Sequence, residues 1–250
     1  MNFIEFGKEN SGVVILLHGG GLSWWNYRDE AELLRDGFHV VLPIIDGHAG
    51  SDRSFTSIGD CADELIGFID DRFGGRVSFI GGLSLGGQIL TEALARRGDI
   101  CGSAIIDSAL VVPSRLTKAL IRPAFGSCYW LIKKEWFARL QARSLGIRPG
   151  LFDDYFRDTK AIKKEDMIAF LEANSVYSPG EGLRKTSAKV EILAGTKETK
   201  SIRRSAEILH GMIPESRLEL LDGMRHGELS LDHAGEYVER LRGLISEAKS

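Results

Sequence analysis

The sequence is poor in cysteine and has no long apolar run. Only three cysteines occur among 250 residues, and no two of them stand at C-x-x-C spacing. This scarcity argues against a disulfide framework and against a cysteine-rich zinc site. No apolar run approaches the ~20 residues of a membrane-spanning helix, and the N-terminus lacks the apolar core of a signal peptide. We therefore expect an intracellular, cytoplasmic protein without an integral membrane segment.

An excess of positive charge is also missing. Lysine and arginine number 32 against 35 aspartates and glutamates, which gives a formal net charge of −3. Nothing in this balance suggests binding to nucleic acid. The 43% hydrophobic and 27% charged content is that of an ordinary globular protein.

Short β-type apolar runs alternate with helical patterns along most of the chain. The predicted strands are residues 13–17, 39–45, 77–80, 102–107, 190–194 and 217–221. Such alternation predicts an α/β fold, with a mostly parallel sheet and helices on its faces.

The alternation breaks between residues 108 and 186. This stretch is helical by pattern and is interrupted by Pro123, Pro149 and Pro179. We predict a core formed by residues 1–107 and 187–250, and a helical cap formed by residues 108–186. Because open α/β sheets bind ligands outside the carboxyl ends of their strands, such an insertion would cover the site.

The run Gly82-Leu83-Ser84-Leu85-Gly86 lies between a predicted strand and a predicted helix. In that context G-x-S-x-G is typical of a nucleophile elbow, in which a sharp turn exposes the serine hydroxyl and small neighbours let the helix fold back. Ser84 is therefore the predicted nucleophile.

A glycine-rich loop, His18-Gly19-Gly20-Gly21, follows the first predicted strand. Backbone N–H groups of Gly20 and Gly21, together with that of Leu85, would form an oxyanion hole. The alternative is a plain glycine turn, or a phosphate loop that lacks its Lys-Ser/Thr.

Partners for the serine are predicted at the ends of later strands. Among six histidines, His226 lies in the loop that follows the last predicted strand, where a general base can reach Ser84; a surface loop histidine is the alternative. His233, within the final predicted helix, is the weaker candidate. Glu198 follows the strand before it and is the preferred orienting acid. Asp107, at the end of another strand, is the competing acid.

These residues resemble the α/β-hydrolase superfamily over nearly the whole chain, and most closely its small, capped, esterase-like members. Residues 46–51 also resemble the family's D-x-G-H-G-x-S loop, with Ala49 as a departure. The resemblance implies an eight-stranded, mostly parallel sheet and serine-dependent acyl transfer to water. The family more often has Asp where this chain has Glu198, so Asp107 stays an alternative.

The predicted cap and the segment beside the glycine loop contain all four tryptophans. Trp24 and Trp25 follow the loop, whereas Trp130 and Trp136 lie in the cap. They would line an acyl pocket or only join cap to core. From residue 113 to 148 eight cations face one anion, which suits an anionic substrate, carrier or membrane surface, or is a solvated helical face.

The predicted function is hydrolysis of a small or medium carboxylic ester through an acyl-enzyme. No metal and no organic cofactor is expected. The alternatives are an acyl-thioester hydrolase or acyltransferase, and a hydrolase-fold protein that binds a ligand with little turnover. The expected partner is the small ester or thioester itself, and the sequence predicts no particular oligomeric state.

Overall fold

The protein was analysed as a computed structural model that describes residues 1–249. Seven strands form one sheet: β1 (Asn2–Phe6), β2 (Val13–Leu17), β3 (His39–Ile44), β4 (Val77–Leu83), β5 (Cys101–Asp107), β6 (Lys189–Gly195) and β7 (Arg217–Leu221). Their order across the sheet is β1-β3-β2-β4-β5-β6-β7. Only β1 runs antiparallel to its neighbour, β3. The prediction of a mostly parallel α/β sheet is confirmed, but the described residues contain seven strands instead of eight.

Ten α-helices accompany the sheet in the described chain. They are α1 (Arg28–Leu34), α2 (Ile58–Phe73), α3 (Leu85–Arg96), α4 (Arg115–Cys128), α5 (Glu135–Ser144), α6 (Phe152–Ala161), α7 (Lys164–Val176), α8 (Lys200–Met212), α9 (Glu228–Asp232) and α10 (Ala234–Lys249). Among the described residues, no helix is both long and apolar enough to cross a membrane.

The central strands are buried on both faces by these helices. Every residue of β2 and β3 is buried, because helices cover each side of the sheet. Helices α2, α3 and α8 contribute to the apolar cluster on one face, and α1 and α10 contribute to the cluster on the other. The rigid sheet therefore fixes where each strand ends.

Residues 108–186 connect β5 to β6 and contain helices α4 to α7 without a strand. We call this stretch the helical insertion. Gln88 on α3 binds it through Nε2, which donates to the carbonyls of Leu110, at 2.5 Å, and of Asn174, at 3.0 Å. Asn174 Nδ2 donates back to Gln88 Oε1 at 2.9 Å. The insertion is thereby fastened to the helix that follows Ser84.

Candidate active site

Ser84 stands at the turn between β4 and α3 with an unusual backbone conformation. Its φ is 52° and its ψ is −109°, a region that costs a non-glycine residue conformational energy. The amide of Ser84 donates to the carbonyl of Asp107 at 2.8 Å, which holds the turn against β5. The surrounding structure thus maintains a strained turn at the predicted nucleophile.

The glycines on each side of Ser84 are required by backbone contacts. A Cβ on Gly86 would lie 2.2 Å from the carbonyl oxygen of Leu17, and a Cβ on Gly82 would lie 2.5 Å from that of Gly86. Both distances are far below van der Waals contact, and neither neighbour is a flexible side chain. The G-x-S-x-G pattern therefore reflects close packing of α3 against β4 and β2.

His226 lies on the loop after β7 and shares a cavity with Ser84. This cavity has a volume of about 60 Å³ and is also lined by Gly19, Gly20 and a set of apolar side chains. The apolar set is Leu22, Leu83, Leu145, Ile147 and Leu231. Leu145 and Ile147 belong to the helical insertion, which therefore forms one wall of the cavity beside the sheet edge.

Glu198 contacts His226 directly. Its Oε2 accepts a hydrogen bond from Nδ1 of His226 at 2.6 Å, and its carboxylate is almost wholly buried. Burial alone would lower the pKa of His226, but the hydrogen bond and charge of Glu198 raise it above its ordinary value. The imidazole is therefore held in one orientation, and its cation is stabilised.

Glu198 is itself held by two further donors. Its Oε1 accepts from the amide of Gly195 at 2.9 Å and from Oγ of Ser108 at 2.7 Å. Burial alone would raise the pKa of Glu198, but its bonds to His226, Gly195 and Ser108 lower it below the ordinary value. The carboxylate is thus kept ionised beside the histidine.

Asp107 lies one residue from this network but does not hydrogen-bond to His226. Its Oδ1 is 2.7 Å from Oγ of Ser108, and its Oδ2 is buried without a partner in the described structure. Burial raises the pKa of Asp107 to about 7, and the charge of Glu198 adds to this effect. The Ser108 hydroxyl has one proton and already donates it to Glu198. A protonated Asp107, which can donate to the Ser108 oxygen, therefore satisfies this geometry best.

Ser108 was not recognised in the sequence. Its φ of 56° is one of three positive values among the described non-glycine residues. Ser108 directly follows β5, and its amide donates to the carbonyl of Leu193 at 2.9 Å. A serine immediately after the strand-end Asp107 was the available signal, but its contact with Glu198 depends on the pairing of β5 with β6.

The glycine loop offers one of its two predicted donors. The amide of Gly21 donates to Nε2 of His48 at 3.0 Å, so it is not free to bind a substrate oxygen; the prediction for Gly21 is wrong. In the described chain no acceptor is hydrogen-bonded to the N–H of Gly20 or of Leu85. A Cβ built on Gly20 would lie 3.6 Å from Cβ of Leu85, so the two residues adjoin.

Two neutral histidines support this loop. His18 Nδ1 donates to the carbonyl of Gly19 at 2.9 Å while its Nε2 accepts from the amide of Ile45 at 3.1 Å. Burial lowers the pKa of His18 to about 3 and that of His48 to about 4. Both imidazoles therefore act as fixed hydrogen-bonding groups.

The tryptophans predicted to line the substrate site do not line this cavity. Trp25 is buried, and its Nε1 donates to Oδ2 of Asp158 on α6 at 2.9 Å. Trp24 packs against the guanidinium of Arg28, which lies 5.0 Å from its ring centre. Trp25 therefore joins the insertion to the core, which is the alternative considered for these residues.

Comparison with known proteins identifies a matching sequence family and several solved structures with a similar fold. A sequence model described as the alpha/beta hydrolase family matches residues 14–240. No curated protein gave a significant match to the sequence. Among solved structures, an esterase from Thermogutta terrifontis shares 18% identity with a TM-score of 0.81, covering 100% of this chain and 94% of that one.

Two other solved structures show the same fold. An esterase from Exiguobacterium antarcticum has 20% identity and a TM-score of 0.80, covering 99% of this chain and 95% of its own. The enol-lactonase from Burkholderia xenovorans has 15% identity and a TM-score of 0.81, covering 98% and 96%. At these identities the likeness concerns the fold, and the side chains around Ser84 must carry any argument about chemistry.

Proposed function

The chain belongs to the alpha/beta hydrolase family, and from that premise we propose that it is a serine hydrolase that cleaves a carboxylic ester through an acyl-enzyme. The observation that carries the proposal is the network at the sheet edge. Ser84 and His226 line one cavity, and Glu198 holds the far side of the imidazole at 2.6 Å. This arrangement supplies a nucleophile, a base and an orienting acid, in the roles of a catalytic triad.

In the proposed mechanism, Nε2 of His226 takes the proton of the Ser84 hydroxyl as the oxygen attacks the ester carbonyl. The N–H groups of Gly20 and Leu85 bind the oxyanion of the tetrahedral intermediate. Collapse of the intermediate breaks the ester bond, and His226 gives its proton to the leaving alcohol. Water, deprotonated by the same histidine, then attacks the acyl-enzyme and releases the acid and Ser84.

The proposal is tested by Ser84→Ala. We expect hydrolysis of p-nitrophenyl acetate to fall by at least about a thousandfold while the thermal unfolding midpoint changes little. Labelling of the wild-type protein by a fluorophosphonate probe, absent in the variant, would separate an enzyme from a protein that only binds ligands. Unchanged turnover in the purified variant would contradict the assignment of Ser84.

The size of the cavity supports a short acyl group. About 60 Å³ between apolar side chains favours an acetyl or propionyl chain over longer ones. We therefore propose that residues 108–186 act as a cap that limits the acyl group through Leu145 and Ile147.

A thioester or acyl-transfer reaction is the second candidate, and one observation favours it. His226 also lines a more open cleft of about 280 Å³, together with Lys197 and Arg225. Two cations beside the proposed base would attract a leaving group that carries phosphate or carboxylate. Comparing acetyl-coenzyme A with p-nitrophenyl acetate as substrates distinguishes this candidate from the ester hydrolase.

A further inference from the structure

The outer surface of the helical insertion exposes an unusual number of large apolar side chains. Of the eight large hydrophobic residues that are exposed in the described chain, six belong to this stretch: Leu116, Leu120, Trp130, Trp136, Leu140 and Leu145. We call residues 115–145 the cap surface. Exposed apolar side chains that are grouped in this way mark an interaction site more often than scattered ones do.

On α4, the exposed apolar residues point away from the core. Ile121 is buried, and the half-buried Phe125 packs against the main core cluster. Leu116 and Leu120 lie four residues apart, hence on one side of the helix, with 73% and 58% of their surface exposed.

Helix α5 repeats this arrangement. Ala138 and Ala142 are buried toward the core, whereas Trp136 and Leu140 are 62% and 59% exposed. The two helices are joined by a 3-10 turn that contains Trp130, which is also exposed. Each helix therefore buries one side in the protein and presents the other, partly apolar, to solvent.

The cap surface is also strongly basic. Between residues 113 and 148 there are eight lysines and arginines and one acidic residue, Glu135. Three of the cations are neutralised: Arg122 pairs with Glu172, Arg139 with Glu135 and Arg148 with Asp29. The other five make no ion pair with the described residues: Arg115, Lys118, Lys133, Lys134 and Arg143.

We propose that the cap surface docks onto an anionic lipid bilayer. Leucine and tryptophan beside unpaired lysine and arginine is the composition of helices that lie in the headgroup region, where apolar side chains enter the acyl boundary and cations meet anionic headgroups. A second copy of this chain would bring two basic surfaces together, so charge disfavours self-association here. The cations alternate with the apolar residues along the stretch, which suits a planar interface between headgroups and acyl chains.

The cap surface is continuous with the cavity that holds Ser84. Helix α5 ends at Ser144, and the next residue, Leu145, lines that cavity while being 40% exposed itself. Docking would bring the entrance of the cavity close to esters dissolved in the bilayer. This consequence rests on the proposed ester hydrolysis, whereas the docking itself does not.

The test is sedimentation of the full chain with lipid vesicles, using the Ser84→Ala variant in parallel. We expect binding to vesicles that contain phosphatidylglycerol, weak binding to pure phosphatidylcholine, and loss of binding as salt is raised. Equal binding by Ser84→Ala is expected, so a failure of the catalytic assignment would not affect this result.

Paired variants identify the surface. Lys118→Glu with Lys134→Glu should weaken binding to anionic vesicles by at least about thirtyfold, and Leu116→Ser with Leu120→Ser by about tenfold. The matched charge control is Lys185→Glu with Lys189→Glu, and the apolar control is Leu33→Ser; both alter exposed residues outside the cap surface and should leave binding unchanged.

Three outcomes would overturn the proposal. These are no binding to anionic vesicles at low salt, equal binding to neutral vesicles, and controls that weaken binding as much as the cap variants do. A dimer in sedimentation velocity that Leu116→Ser with Leu120→Ser abolishes would assign the surface to self-association instead. Binding of an acidic protein by the cap surface, without any binding to vesicles, would likewise assign the surface to a protein partner instead of a bilayer.

Discussion

The sheet edge and the helical insertion meet at the cavity beside Ser84, and they are built in different ways. At the sheet edge, backbone hydrogen bonds to the neighbouring strand fix Ser84 and Ser108, and the buried carboxylate of Glu198 is held by Gly195 and Ser108. The insertion contributes only two side chains to the cavity and leaves much of its apolar surface exposed. In the proposed function, chemistry would therefore depend on a rigid frame, and access and selectivity on a region with fewer constraints.

The difference in packing between the two regions is tested most directly by adding one methyl group in each. Gly86→Ala would place a Cβ 2.2 Å from the Leu17 carbonyl oxygen, and we expect it to lower the free energy of unfolding by more than about 3 kcal/mol. Gly126→Ala, in α4, meets nothing within 4 Å and should stabilise by about 0.5–1 kcal/mol. Urea denaturation of both variants measures the difference; equal effects would contradict it.

Within the rigid frame, the two buried acids should contribute unequally. Glu198→Gln replaces the partner of His226 by an amide that favours the wrong tautomer, so kcat should fall by about 10²- to 10⁴-fold. Asp107→Asn should cost no more than about tenfold, because an amide can still donate to Ser108. Steady-state kinetics on p-nitrophenyl acetate compares the kcat of the two variants. A larger loss for Asp107→Asn would mean that Asp107, and not Glu198, is the orienting acid.

The pH dependence of activity tests the contact between Glu198 and His226 independently. His226 must be neutral to act as base, and Glu198 raises its pKa, so wild-type activity should fall as the pH drops through a value above ~6.5. Residual activity of Glu198→Gln should show this acid limb at lower pH, since the stabilising charge is gone. An unmoved limb would mean that Glu198 does not set the pKa of His226.

The smallest expected effect lies in the insertion. Leu145→Ala should enlarge the cavity and raise the ratio of p-nitrophenyl octanoate to acetate hydrolysis by about three- to tenfold. Leu140→Ala, on the helix that ends just before Leu145 but outside the cavity, is the control and should leave the ratio unchanged. If both variants behaved alike, the insertion would not select the acyl group through Leu145.

Most of the sheet was predictable because buried parallel strands are nearly continuous apolar runs. The strands β2 and β7 were predicted with their observed bounds, and the others within a few residues. Strand β1 was missed because its five residues are only half-buried and form no apolar run. As the outermost strand of the sheet it pairs antiparallel with β3, a contact that only the folded chain reveals.

The sequence by itself determined the types and order of the groups at the sheet edge. Ser84, Glu198 and His226 each follow a predicted strand, and the carboxyl ends of parallel strands share one edge, so local pattern sufficed to bring them together. The tertiary structure alone decided which acid contacts His226, that His48 occupies the amide of Gly21, and that Trp25 faces the insertion. Those outcomes depend on distances between residues far apart in the chain, and no local periodicity encodes such distances.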